Sequence, residues 1–283
     1  MAVLNTTFHH LSIFMFNRTT RKSINWLLIS LCFSACLATT LLSMSAKATP
    51  KADKETEKPS LQVKGELSIS PLSDTLFVHE SFMQTQQYGF VGSNGLVLID
   101  DNKAYLIDTP WSEADTIKLV SWIENQGFTL AASVSTHSHE DRTAGVDYLN
   151  RIGVTTYASE HTNKLLKQAG KPTTTNSFKA GQFDFVESKA EVYFVGAGHT
   201  VDNLVVWFPQ SKLLYGGCLV KSLGSKSLGY YGEADLDAWP FSIKQLQTQF
   251  TDTDRVLPGH GKMGDKQLLS HTISLLEQHA EQH

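Results

Sequence analysis

Ala131-Ala132-Ser133-Val134-Ser135-Thr136-His137-Ser138-His139-Glu140-Asp141-Arg142 is the stretch on which the reading of this chain turns. Residues 131–135 read as a short strand, and the polar residues that follow sit where it ends. Val146, Leu149 and Ile152 then recur at helical spacing before Gly153. A strand sends alternate side chains to the same side, so His137 and His139 can reach one ion together while Ser138 points away. Asp141, two positions farther on, can lean toward a neighbouring ion. A strand that delivers donors to its end, just before a helix, is the behaviour of a layered α/β protein with functional residues at strand ends and loops.

Upstream, short apolar or alternating runs are punctuated by turn signals. Leu76-Phe77-Val78, Gly89-Phe90-Val91, Leu96-Val97-Leu98-Ile99 and Ala104-Tyr105-Leu106-Ile107 predict strands of a meander, joined at Ser93-Asn94-Gly95 and Asp100-Asp101-Asn102. Ser112-Glu113-Ala114-Asp115 resembles a capping box, and Ile117, Val120 and Ile123 follow at helical spacing up to Gly127. Downstream, the pattern predicts helices over 160–169 and 242–250, strands over 191–195, 204–208, 213–215 and 255–257, and a terminal helix with Leu268, Leu269, Ile273 and Leu276 on its apolar face. No repeat of solenoid or propeller length is present.

Three more donors stand at strand-to-loop transitions beside glycine: Gly198-His199, Gly217-Cys218 and Pro258-Gly259-His260. Backbone that approaches an ion closely often needs conformations that a β-carbon forbids. An isolated His-x-His carries little information, but five His/Cys donors plus Asp141 offer a ligand set for two metal ions. Imidazole nitrogen, carboxylate oxygen and thiolate sulfur are the donors zinc accepts at about 2.0–2.3 Å, and three protein ligands per ion leave positions for water and substrate. That is the pattern of a catalytic site.

The chain's 283 residues begin with a segment excluded from the fold. Residues 1–48 hold Arg18, Arg21, Lys22 and Lys47 but no Asp or Glu, an apolar stretch over 24–42, and Ala46-Lys47-Ala48, which reads as a secretory signal peptide with cleavage near Ala48. Met15 is an alternative start. An uncleaved membrane anchor is a second reading, weakened by Asn25, Ser30, Ser34, Thr39 and Thr40 within a stretch that would have to span about 20 residues. A lipoprotein signal at Cys36 is a third, poorly served by Phe33. Residues 49–64, rich in Lys and Glu, read as a linker, and 65–283 as one domain. Cleavage would leave Cys218 as the sole thiol, with no disulfide partner in an oxidising compartment. Without context a lone Cys reads as a buried small hydrophobe, but the neighbouring donors favour a ligand. The full chain's formal net charge of −4 becomes about −8 without the basic leader, which argues against a nucleic-acid partner.

The combination His137-Ser138-His139-Glu140-Asp141, His199, Cys218 and His260 resembles the metallo-β-lactamases of the first subclass, and the imipenemase-like branch in particular. The similarity extends through Ala104-Tyr105-Leu106-Ile107-Asp108-Thr109-Pro110, Thr156-Tyr157-Ala158-Ser159-Glu160, Gly198-His199-Thr200-Val201-Asp202-Asn203 and Gly216-Gly217-Cys218, over roughly residues 67–275. It implies an αββα sandwich, with two central mixed sheets face to face and helices on the outer faces. It also implies two Zn2+ ions per chain, the first held by His137, His139 and His199 and the second by Asp141, Cys218 and His260.

The implied activity is hydrolysis of the β-lactam amide of penicillins, cephalosporins and carbapenems by a zinc-bound hydroxide, conferring antibiotic resistance. Asp141 is then both ligand and catalytic residue. Lys221 matches the position that binds the substrate carboxylate, although a lone Lys is ordinarily a solvated surface group. Tyr230 stands where the family commonly has an Asn that polarises the lactam carbonyl, which puts that role in doubt. Tyr88, in a flap-like segment, is expected over the substrate, or else is an ordinary hairpin aromatic. Asp108 and Arg142 are expected to orient ligands; a strand-end turn and an exposed helix start are the plainer readings. His79, His161, His271, His279 and His283 are read as surface or core histidines.

Glyoxalase-II-like thioesterases share the scaffold but typically place a His where this chain has Arg142, and lack the Cys ligand. A non-catalytic periplasmic zinc-binding or redox-sensing protein is the rival outside the enzymes. A periplasmic monomer acting on a small molecule, with no stable protein partner, is expected.

Overall fold

Alternation of buried residues along the strands decides the architecture of this protein, whose computed structural model describes residues 65–282. The expected leader and linker, residues 1–64, lie outside the described residues. Strands β1 (Ser68–Pro71), β2 (Leu76–Thr85), β3 (Gly89–Asp100) and β4 (Lys103–Ile107) form the antiparallel half of a seven-stranded sheet. β5 (Thr129–Val134), β6 (Thr155–Ser159) and β7 (Asn176–Phe178) extend it in parallel. Helices α1 (Glu113–Asn125), α2 (Glu140–Thr143), α3 (Val146–Arg151) and α4 (Glu160–Gln168) supply the crossovers. The second sheet has five strands in the order β12-β11-β10-β9-β8, from β8 (Gln182–Val186), β9 (Ala190–Tyr193), β10 (Val205–Phe208), β11 (Leu213–Gly217) and β12 (Arg255–Pro258). Helices α5 (Trp239–Gln249) and α6 (Gln267–Gln282) complete the chain.

Each sheet is apolar on both faces, and each face has its own partner. Leu96, Leu98, Ile107 and Val134 meet Val192, Val206, Tyr215 and Leu257 between the sheets. Their neighbours point outward: Val97, Ile99 and Leu106 pack against Leu119, Ile123 and Leu149 of α1 and α3. Val205, Leu214 and Val256 pack against Trp239, Ile243, Leu246, Leu268 and Leu269 of α5 and α6. One face of each sheet packs against the other sheet and the opposite face against helices, so the layers stack as the αββα sandwich. Among the described residues, no helix is long and apolar enough to cross a membrane.

The capping signal at Ser112 is realised, its hydroxyl accepting from the Asp115 N–H at 3.1 Å. The turn expected at Ser93-Asn94-Gly95 is not. These residues lie inside β3 and pair with Ser81, Glu80 and His79 of β2. Asn and Gly serve close approach here instead of reversal. The Asn94 amide donates to Pro258 O and Gly261 O at 2.9 and 2.8 Å, stitching the two sheets together. A β-carbon on Gly95 would lie 2.2 Å from the ring of His79. That ring is buried and bonds Asp108 O at 3.0 Å, so His79 is a core histidine.

Candidate metal centre

The chain leaves β4, β5, β11 and β12 at one rim of the sandwich, and the donors of the sequence motif stand just past those ends, with His199 in the β9–β10 connection. Asp108 sets the first of these exits. It adopts a left-handed backbone (φ 60°), its carbonyl engages His79, and its carboxylate accepts from Thr136 N at 2.7 Å, Thr136 Oγ1 at 2.8 Å and Tyr215 OH at 2.7 Å. The segment entering His137 is thereby tied to both sheets. Burial pushes the Asp108 carboxyl up to about 6, against the opposing pull of Arg142 and these hydrogen bonds. Asp108 thus occupies the strand-end turn and at the same time holds Thr136, the residue next to His137.

His137, His139 and His199 turn their nitrogens toward one another. His139 Nδ1 lies 3.1 Å from His137 Nε2 and 3.3 Å from His199 Nε2, and all three ligand atoms fall within 4.8 Å of each other. Tetrahedral zinc with nitrogen at about 2.0–2.1 Å requires ligand separations of roughly 3.3–3.4 Å. Burial, with repulsion from His139 for His137 and from Lys221 and the other rings for His199, holds both well below the ordinary imidazole range, so both present the neutral form that ligates. The outer nitrogen of His139 donates to Glu233 Oε2 at 2.5 Å, leaving Nδ1 as the lone pair. Glu233 stands in a loop far along the chain, and nothing in its local sequence announces it.

Asp141, Cys218 and His260 form a second triangle. Asp141 Oδ2 to Cys218 Sγ is 3.5 Å, Cys218 Sγ to His260 Nε2 is 3.3 Å, and His260 Nε2 to Asp141 Oδ2 is 3.2 Å. The Nδ1–H of His260 donates to Gly92 O at 2.8 Å, which directs Nε2 inward. The two triangles adjoin, since His137, Asp141 and Cys218 also bring ligand atoms within 4.8 Å. Without a cation His260 carries the proton: burial opposes it, but Cys218 and Asp141 raise its pKa to about 9, so metal and proton compete for this site. Both donor sets fit zinc in atom type and spacing, and the thiolate disfavours magnesium or calcium.

Arg142 is not an exposed helix-start residue but lies fully buried beneath this triangle. Nη2 reaches Asp141 Oδ2 at 2.8 Å, Cys218 Sγ at 2.9 Å and Gly259 O at 3.1 Å. Nη1 donates to Asn94 O at 2.5 Å and Tyr215 OH at 2.7 Å, with Asp108 Oδ2 at 3.5 Å. Burial alone would raise the Asp141 carboxyl, but Arg142 and His260 hold it well below the usual range. Gly259 makes the packing possible, because a β-carbon there would sit 2.6 Å from Nη2 and 2.8 Å from Cys218 Sγ.

A cleft of about 670 Å3 opens over both triangles, lined among others by Tyr88, Val91, Trp111, Lys221, Leu228 and Tyr230. Lys221 is buried, its ammonium 5.1 Å from the centroid of Trp239. Burial lowers its pKa to about 8, and among the described residues it has no carboxylate ion pair. An unpaired buried cation in a cleft is a place for an anion. Tyr230 is half-exposed, its ring edge-on to His139 with centroids 5.6 Å apart. Tyr88, at the exposed β2–β3 tip, faces the same space. Trp111, 5.8 Å from the His260 ring, is a wall that the sequence did not identify, and Trp239, buried in the core behind the cleft, backs the His199 ring at 5.9 Å.

The pattern of the metallo-beta-lactamase superfamily matches residues 88–260. The chain is 43% identical over 207 residues to a metallo-beta-lactamase type 2 of Pseudomonas aeruginosa, covering 73% of this chain and 83% of the relative. It is 34% identical over 227 residues to a metallo-beta-lactamase type 2 of Bacteroides fragilis, covering 78% and 90%. Among solved structures, that of TMB-1 superposes with a TM-score of 0.74 at 49% identity, over 76% of this chain and 99% of the other.

Proposed function

Because this chain belongs to the metallo-beta-lactamase superfamily, we propose that it hydrolyses the β-lactam amide of penicillins, cephalosporins and carbapenems and so confers resistance to them. The observation that carries the reading is the pair of adjoining donor triangles, with contacts of 3.1–3.5 Å, on the floor of one cleft. His137, His139 and His199 would hold one zinc, and Asp141, Cys218 and His260 a second. Zinc, when bound, ionises water near neutral pH and stabilises charge developing on the amide.

The chain's own residues do the rest. Lys221 binds the substrate carboxylate by a charge-assisted contact and orients the ring above the donors. Asp141 aligns the attacking water, and its charge is kept by Arg142. Cys218 is a ligand and not a nucleophile, since its sulfur is buried among Arg142, Asp141 and His260. Tyr88 and Tyr230 flank the mouth and cover the bound substrate. The tyrosine hydroxyl is a donor, but its aromatic body changes which acyl groups fit. The enzyme would act as a monomer in the periplasm, a placement supported by the leader-like residues 1–48.

Nitrocefin turnover tests this directly. It is expected to vanish on exhaustive chelation, return with zinc, and collapse in Cys218→Ala. Turnover that survives either treatment undiminished rules the assignment out.

A further inference from the structure

Between Cys218 and Glu233 the chain forms no helix or strand, yet this segment carries Cys218, Lys221, Tyr230 and Glu233. Its precision must come from what it rests on. Leu219, Val220 and Leu228 pack into the cluster shared with α5 and α6. Two polar contacts then hold the backbone around Lys221 itself. Trp239 of α5 donates its indole N–H to Leu219 O at 2.8 Å, and Thr272 of α6 accepts the Lys221 N–H at Oγ1, 2.9 Å away. Farther along, His271 bonds Ser225 O at 3.1 Å.

The Thr272 hydroxyl is fully committed. It is buried, and its proton goes to Leu268 O at 2.8 Å, one turn back in the helix. A lone pair is therefore aimed at the Lys221 N–H. Removing it leaves that N–H without a partner in a site shielded from water, a situation the backbone relieves by moving. The Lys221 ammonium, poised over the Trp239 face with no carboxylate to hold it, would move with its own backbone.

We infer that Thr272, which does not line the cleft, is a positioning residue for substrate capture, fixing the backbone of Lys221 from helix α6. The inference rests on the reading that Lys221 receives a substrate carboxylate.

The test compares zinc-loaded wild type with Thr272→Val, which keeps the β-branched shape and removes the acceptor, and with Thr272→Ser, which keeps the hydroxyl. Thr272→Val should raise KM for benzylpenicillin about 5–15-fold, the size of one lost hydrogen bond, with kcat within about twofold. Zinc content should be unchanged, and Thr272→Ser should restore KM. Hydrogen exchange in the peptide spanning 219–228 should quicken in Thr272→Val alone. Thr272→Ala gives the same split and replaces the valine variant if that does not fold. Unchanged KM with unchanged exchange overturns the inference, as does an equal fall in kcat accompanied by zinc loss, which marks a purely structural role. If wild type hydrolyses no β-lactam, the proposed function fails, and the exchange measurement still decides whether Thr272 fixes this backbone.

Discussion

Replacing Arg142 with alanine removes the guanidinium that faces Asp141, Cys218 and Asp108 together, with 0% of its surface exposed. Deleting one partner of a buried ion pair costs about 3–5 kcal/mol, because the remaining charge is left uncompensated. At roughly 2–4 °C per kcal/mol for a domain of this size, the metal-free variant should melt about 6–20 °C below metal-free wild type. Arg142→Met keeps much of the volume and should lose most of the same stability, which separates lost charge from a cavity. Zinc should recover part of the deficit, since a bound cation takes over the compensation of Asp141 and Cys218 but not of Asp108. Calorimetry of both variants with and without zinc, paired with metal analysis, reads all of this. A metal-free melting point within about 2 °C of wild type, with full zinc content, would refute the claim that Arg142 is the electrostatic floor of the site.

Lys221→Ala should raise KM about 10–150-fold for a carboxylate-bearing substrate while kcat changes little, the range expected for a charge-assisted hydrogen bond. Because burial lowers the Lys221 pKa to about 8, the ammonium loses its charge as pH rises through that value. Wild-type KM should therefore climb above about pH 8, and nearby bound cations would move the rise lower; a profile identical in the alanine variant excludes the assignment. Glu233→Gln should weaken zinc binding at the histidine triangle about 10–100-fold in competition with a chromogenic chelator. Its melting point without metal should hardly change, since Glu233 is largely exposed and a surface pair contributes little.

The residues that could be read from the sequence are those whose chemical type and position agree. His137, His139, Cys218 and His260 are donors just past strand ends and His199 lies in the β9–β10 connection, three of the five directly after glycine, and the apolar and alternating runs mark most of the strands. The residues that could not be read act through placement. Glu233, Trp239 and Thr272 have ordinary local sequences and join the proposed site only because the fold lays them against His139, Leu219 and Lys221. Asn94 and Gly95 misled for a physical reason, since the same residues that favour turns also serve where two backbones approach closely. The brief strands β7 and β8 escaped notice because they are short and half polar, with Phe178 and Phe183 stacking at 4.2 Å in place of a long apolar run.

The most direct measurement of the central claim is cobalt titration of the metal-free protein, followed by absorption spectroscopy and hydrolysis. The account predicts two equivalents bound per chain, a thiolate-to-cobalt charge-transfer band that disappears in Cys218→Ser, and activity that follows metal content. Binding of a single equivalent with no thiolate band, or hydrolysis independent of metal, would contradict it.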